Sequence, residues 1–170
     1  KQQVMRHLLP YSSAVLVDPE HGFGPGIASG VIGGDVGLLS PLEVTDYGVH
    51  PSKRETAFID GWNIEKIKRI GGAGIKLLLY YNPEAPTAEK KRDLVHQIVA
   101  ECHAHDIPFF LEPIVYSLDP NTKLTSAEKR DLVINAAHTF SKMDIDVLKT
   151  EFPLDVKETP NTAEWESALH

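Results

Sequence analysis

The chain has 170 residues, 42% of them hydrophobic and 24% charged, a composition expected of one soluble globular domain spanning residues 1–170. Its net charge of −7 arises with lysines and arginines dispersed among acids, so no basic stripe points to nucleic acid or to an anionic membrane. No apolar run reaches the roughly 18 residues of a membrane span, and the single cysteine, Cys102, excludes an internal disulfide and fits a reducing, cytoplasmic setting.

Helical patterns reach both ends of the chain and its first residue is Lys1, so a piece of a longer polypeptide is expected. The first strand is expected over 13–17, closing on the turn Asp18-Pro19-Glu20 with His21 beside it. Gly22, Gly24 and Gly26 follow. Their spacing differs from the phosphate-binding Gly-x-Gly-x-x-Gly and Pro25 removes a donor, so a mobile loop is expected there. A weaker strand pattern covers 37–44, with Pro41 inside it. Ile64, Ile67 and Ile70 recur at helical spacing, and Gly71-Gly72 supplies the stop.

A strand over 75–81 comes next, then a helix opened by Pro86-Thr87 with Leu94, Val95, Ile98, Val99 and Cys102 on its apolar face. The strand over 109–115 precedes a capping box, Thr125 with Glu128, and the apolar positions Leu132, Val133, Ala136, Ala137 and Phe140. A last strand is expected over 146–152, and Asn161 with Glu164 repeats the helix-start signal before Trp165 and Leu169. Near-continuous apolar strands alternating with helices mean a parallel sheet covered on both faces. A closed barrel and an open doubly wound sheet both fit this order, although the open sheet's phosphate signature is missing.

Charge interrupts these apolar strands repeatedly. Asp18 follows Val15-Leu16-Val17, Lys76 sits between Ile75 and Leu77, Glu112 ends Phe109-Phe110-Leu111, and Lys149 follows Val147-Leu148. Lysine and glutamate are rarely buried without partners, because stripping water from a charge costs several kcal/mol even after relaxation, on the order of that seen for buried ions generally. In a barrel, Lys76, Glu112 and Lys149 would share one interior near the strands' C-terminal ends. Two ammoniums beside one carboxylate would favour a neutral lysine, the nucleophile of Schiff-base chemistry, with that lysine mostly buried. The alternative is a buried ion-pair ladder that sets barrel register. Balanced charge would be expected of such a ladder. The eight histidines are scattered, His103 and His105 at a helix end and His7, His96 and His138 within helical patterns, so no metal or other cofactor is expected. His21 is the one kept as a candidate, against its reading as a solvated loop residue.

The segments Leu16-Val17-Asp18-Pro19-Glu20-His21-Gly22, 75–81, 107–112 and 146–153 together resemble the class I tagatose-1,6-bisphosphate aldolases and the related sulfofructose-phosphate aldolases. The resemblance implies a (β/α)8 TIM barrel of which this chain holds about strands 2 to 6. It implies Lys149 as the Schiff-base lysine, Glu112 as the acid/base and Lys76 as a further active-site lysine. Asp18 and Glu151, in the first and last of these segments, are expected to bind substrate. The implied reaction is cleavage of a phosphorylated ketose to dihydroxyacetone phosphate and an aldehyde, with a homo-oligomer allowed. The competing expectation is a non-catalytic barrel remnant or regulatory homologue that binds a sugar phosphate or a protein partner. A five-strand portion would carry two long exposed sheet edges unless completed by more chain or by another chain.

Overall fold

The computed structural model describes residues 2–44, 48–155, 157, 159 and 161–169. Five parallel strands, β1 (Ala14–Leu16), β2 (Gly37–Pro41), β3 (Gly74–Tyr81), β4 (Phe109–Val115) and β5 (Val147–Leu148), lie side by side in chain order. A doubly wound sheet reverses its strand order at a switch point. The unbroken order here is instead that of a barrel wall.

The helices are α1 (Gln2–Leu8), α2 (Gly24–Ala28), α3 (Ile64–Arg69), α4 (Ala88–Ala104), α5 (Ser126–Phe140) and α6 (Thr162–Leu169). The expected capping box of α5 forms in full, Thr125 accepting from the Glu128 N–H and Glu128 accepting from the Thr125 N–H. Gly71 ends α3 with φ +95°, a conformation that side chains disfavour. Among the described residues, no helix is long and apolar enough to cross a membrane.

Alternate residues of a strand face opposite sides of its sheet. Ile75, Leu77, Leu79 and Tyr81 of β3, with Phe109 and Leu111 of β4, pack against Ile64 and Ile67 of α3, Val95, Ile98 and Cys102 of α4, and Val133 and Phe140 of α5. The Tyr81 and Phe140 rings meet edge to face at 4.8 Å. The opposite sheet face, carrying Lys76, Leu78, Tyr80, Phe110, Glu112 and Ile114, is only partly covered. Cover on both faces was expected, and the difference is physical: α3, α4 and α5 all pack on one side.

Two prolines set the limits of strand pairing. In β2, Gly37 donates to Ser13 and Leu39 accepts from Val17, so the odd-numbered backbone groups face β1, which has already ended where Pro41 would donate. The weak strand expected over 37–44 is therefore found as Gly37–Pro41, with its proline at the last position. In β4, Leu111 accepts from Lys149, so Pro113 also faces β5 and has no N–H to offer. The ladder stops there, and the strand expected over 146–152 shrinks to Val147–Leu148. The sheet edges, three residues in β1 and two in β5, are correspondingly short rather than long.

The expected glycine loop is largely helical. Pro19–Phe23 forms a wide helical turn that runs directly into α2, and Gly22 and Phe23 are buried. A Cβ on Gly22 would lie 2.6 Å from Cβ of Val17, so close backbone approach accounts for that glycine better than mobility does.

Candidate active site

Charge on the partly covered face is concentrated where β3, β4 and β5 meet. Lys149 donates to Oε1 of Glu112, and Lys76 Nζ lies 3.2 Å from Oε2 of the same carboxylate. Register explains the meeting: the backbone bond from Lys149 to Leu111 sets Lys149 beside Glu112, and Lys76 lies on the same face two residues before Leu78, the residue that pairs with Glu112 on the other neighbouring strand. Leu148, the residue before Lys149, turns the other way and packs against the helix-covered core.

Burial of Glu112 by itself would raise its pKa. Hydrogen bonds from Lys149 and Lys76, reinforced by their charges, outweigh this and hold the carboxyl below the ordinary glutamate range. Lys76 and Glu112 are mostly buried, with side chains 13% and 17% exposed. Lys149 is not. Its side chain is 70% exposed, contrary to the expected buried lysine, because β5 is a two-residue edge strand with no described strand beyond it.

Glu43 completes the cluster. After Pro41 the chain pairs with an antiparallel segment, Val44 donating to Ala57 and Ile59 to Leu42, which seals Glu43 beneath it. Its side chain is 6% exposed and Oε1 lies 3.1 Å from Lys76 Nζ. The result is a row Glu43–Lys76–Glu112–Lys149 with two charges of each sign. The expected excess of positive charge is absent, and charge imbalance does not count against an ion-pair ladder. A signal for Glu43 existed in the sequence, since it interrupts an apolar strand as Glu112 does, but the proline two residues earlier weakened that strand.

Asp18 and Glu151 stand at the C-terminal ends of β1 and β5. Asp18 caps the turn that follows it, accepting from the His21 N–H at 2.8 Å. The His21 ring, 3.4 Å from Asp18 and 64% exposed, matches a solvated loop histidine. Glu151 takes the Val115 N–H at 2.9 Å and pairs with Lys129 at 3.0 Å, so its carboxylate replaces the ladder that Pro113 interrupts. Asp146 does the same at the other end of β4, accepting from Phe109 at 2.8 Å. Among the described residues, no group of three histidine, cysteine, aspartate or glutamate side chains is arranged to hold a metal.

A buried lysine lies outside this row and outside the residues that the sequence singles out. Lys91 lies in the charged run Lys90-Lys91-Arg92, yet it shares a helix face with Val95, Ile98 and Cys102 and is buried. It donates to the Tyr80 carbonyl at 2.5 Å and sits over the Tyr116 ring. Burial lowers its pKa.

Comparison with known proteins places these features in context. A family model described as DeoC/LacD family aldolase matches residues 1–167. Tagatose 1,6-diphosphate aldolases from Streptococcus agalactiae and Listeria monocytogenes are 35% and 38% identical to the chain over 100% and 99% of its length. The chain spans about half the length of these relatives, 54% and 51%. In structure it resembles an archaeal fructose 1,6-bisphosphate aldolase, with TM-score 0.67 and 17% identity over 96% of this chain and 58% of that one. It also resembles a fructose-bisphosphate aldolase from Slackia heliotrinireducens, with TM-score 0.70 and 14% identity over 99% of this chain and 52% of that one. At such identities the likeness establishes the fold, a portion of a (β/α) barrel, in agreement with the strand order.

Proposed function

The chain belongs to the DeoC/LacD family of aldolases, and from that premise we propose that it serves a class I aldolase acting on a phosphorylated ketose, tagatose 1,6-bisphosphate or a close analogue. The observation that carries this reading is the contact of Lys149 and Lys76 with the two oxygens of Glu112. The Lys149–Glu112 hydrogen bond is a path by which the ammonium passes a proton to the carboxylate and becomes a nucleophilic amine. The amine adds to the ketose C2 carbonyl. Glu112 returns the proton to the carbinolamine hydroxyl, which leaves as water.

The resulting iminium accepts the electron pair of the C3–C4 bond as the C4 hydroxyl gives its proton to the Glu112 carboxylate and becomes the aldehyde. Protonation of the enamine at C3 and hydrolysis then release dihydroxyacetone phosphate and regenerate Lys149. Lys76 keeps Glu112 oriented and faces substrate oxygens. Asp18 and Glu151 act as substrate contacts, their carboxylates standing at the C-terminal ends of β1 and β5. The setting proposed is the cytoplasm, with the sugar phosphate as partner and no cofactor.

Borohydride reduction with dihydroxyacetone phosphate should leave a stable adduct on Lys149, located by peptide mass. An adduct on another residue, or none, would overturn the assignment. A barrel that only binds sugar phosphates would show binding without the trapped adduct.

A further inference from the structure

The backbone of β4 offers β5 little to bind. Leu111 accepts from the Lys149 N–H at 2.9 Å, so the odd-numbered groups of β4, from Phe109 to Val115, face that strand. Pro113 among them has no N–H. The N–H of Phe109 goes to the Asp146 carboxylate at 2.8 Å, and that of Val115 to the Glu151 carboxylate at 2.9 Å. Only Phe110 with Val147 and Leu111 with Leu148 pair as a ladder. A side chain therefore stands at each end of β5, where a longer ladder would continue.

So short a ladder leaves register weakly specified, and register here decides the chemistry. A slip by one residue turns every side chain of a strand to the other face. Leu148 would then stand beside Glu112, and Lys149 would be driven toward the apolar core against which Leu148 packs. The two carboxylates oppose that slip by holding their N–H groups in the present register. Glu151 is braced in turn by Lys129 of α5, at 3.0 Å. Asp146 stands directly before Val147, at the end of β5 remote from the C-terminal strand ends.

We infer that Asp146 is a positioning residue for the Schiff-base lysine: by holding the Phe109 N–H it fixes the register of β5, so that Lys149 and not Leu148 meets Glu112. The inference rests on the Schiff-base reading proposed above. The role needs an acceptor at this place rather than a charge. Asparagine supplies one through its side-chain carbonyl, and alanine does not.

The test measures borohydride trapping of dihydroxyacetone phosphate on Lys149, located by peptide mass, in the full chain and in its Asp146→Ala and Asp146→Asn variants. Each is held at a temperature where circular dichroism shows it fully folded. The initial trapping rate at saturating triose should fall about tenfold or more with alanine, the change in population expected from one lost bond to a charged acceptor, and should return most of the way with asparagine. An alanine variant that traps like the parent would mean that the bond does not set Lys149, and equal losses in both variants would mean that charge matters instead; either overturns the positioning role. Failure of the unmodified protein to trap the triose would instead overturn the aldolase reading, and the role of Asp146 with it. Should the alanine variant not fold, hydrogen exchange in the unmodified protein decides: the Phe109 and Lys149 amides should be protected to the same degree, because a strand held by both bonds opens as one unit, and unequal protection overturns the proposal.

Discussion

Lys149 donates to Oε1 of Glu112 across the β4–β5 pair while 70% of its side chain stays in solvent. The two partners are thus unequal: Glu112 is held from both sides, and Lys149 is held at its tip alone. Removing the lysine should cost chemistry far more than stability. Lys149→Arg keeps a donor for Glu112 but cannot form the imine, so adduct formation and cleavage should fall to background. The thermal midpoint should stay close to that of the parent, within the roughly 0.5 kcal/mol typical of exposed substitutions. An arginine variant that still cleaves substrate would refute the Schiff base on Lys149.

Glu112 carries an acid-side prediction. A carboxyl whose folded pKa is depressed adds stability that is complete above its unfolded value, 4.5, and is lost as pH falls through the lowered folded value. Glu112→Gln should therefore be less stable than the parent at neutral pH, by about 1–3 kcal/mol for a lost bond between charged groups. The gap should close in acid. Denaturant unfolding at pH 7 and at pH 2 to 3 would measure it, and a gap constant with pH would contradict the assignment.

Lys91 gives the same direction of change with pH from the opposite cause, a penalty on its charged form. Burial lowers its folded pKa beneath 10.5, so between the two values the unfolded chain binds more protons and stability rises with pH. Lys91→Met lacks that rise. Near neutral pH the lost bond to Tyr80, about 1.5–3 kcal/mol, opposes the relieved desolvation, and little net change is expected. Toward pH 10.5 the methionine variant should fall behind the parent. Parallel stability profiles would show that Lys91 is solvated.

Cys102 is buried on α4, and that burial, with Glu101 and Asp146 nearby, pushes its thiol up to about 12. The thiolate is the reactive form. Alkylation at pH 8 should be negligible in the folded protein and complete in denaturant. Rapid native labelling would show α4 opening.

The lysine mechanism also predicts indifference to chelators. Adduct formation with dihydroxyacetone phosphate should be unchanged after exhaustive treatment with one, and full loss restored by a divalent cation would move the reaction to the metal-dependent class.

Much of the architecture was legible because its causes are local. Apolar runs bounded by breakers located β3 and β4 within a residue, and the Thr125–Glu128 capping box located the start of α5. Lys76, Glu112 and Lys149 stood out because each interrupts such a run, and the structure brings them together. Where local cues conflicted, the reading weakened: Pro41 obscured the strand leading to Glu43, and the run Lys90-Lys91-Arg92 hid a buried lysine among solvated ones.

By itself, the sequence determined the βα order and three of the four charges in the central row, since these follow from patterns within a segment. Only the tertiary structure decided that Pro113 cuts the β5 ladder short, that Lys149 stands in solvent, and that Glu43, 33 residues earlier in the chain, faces Lys76. Strand-to-strand register and burial depend on which backbone donors a neighbouring strand has left to offer, and no single segment carries that information.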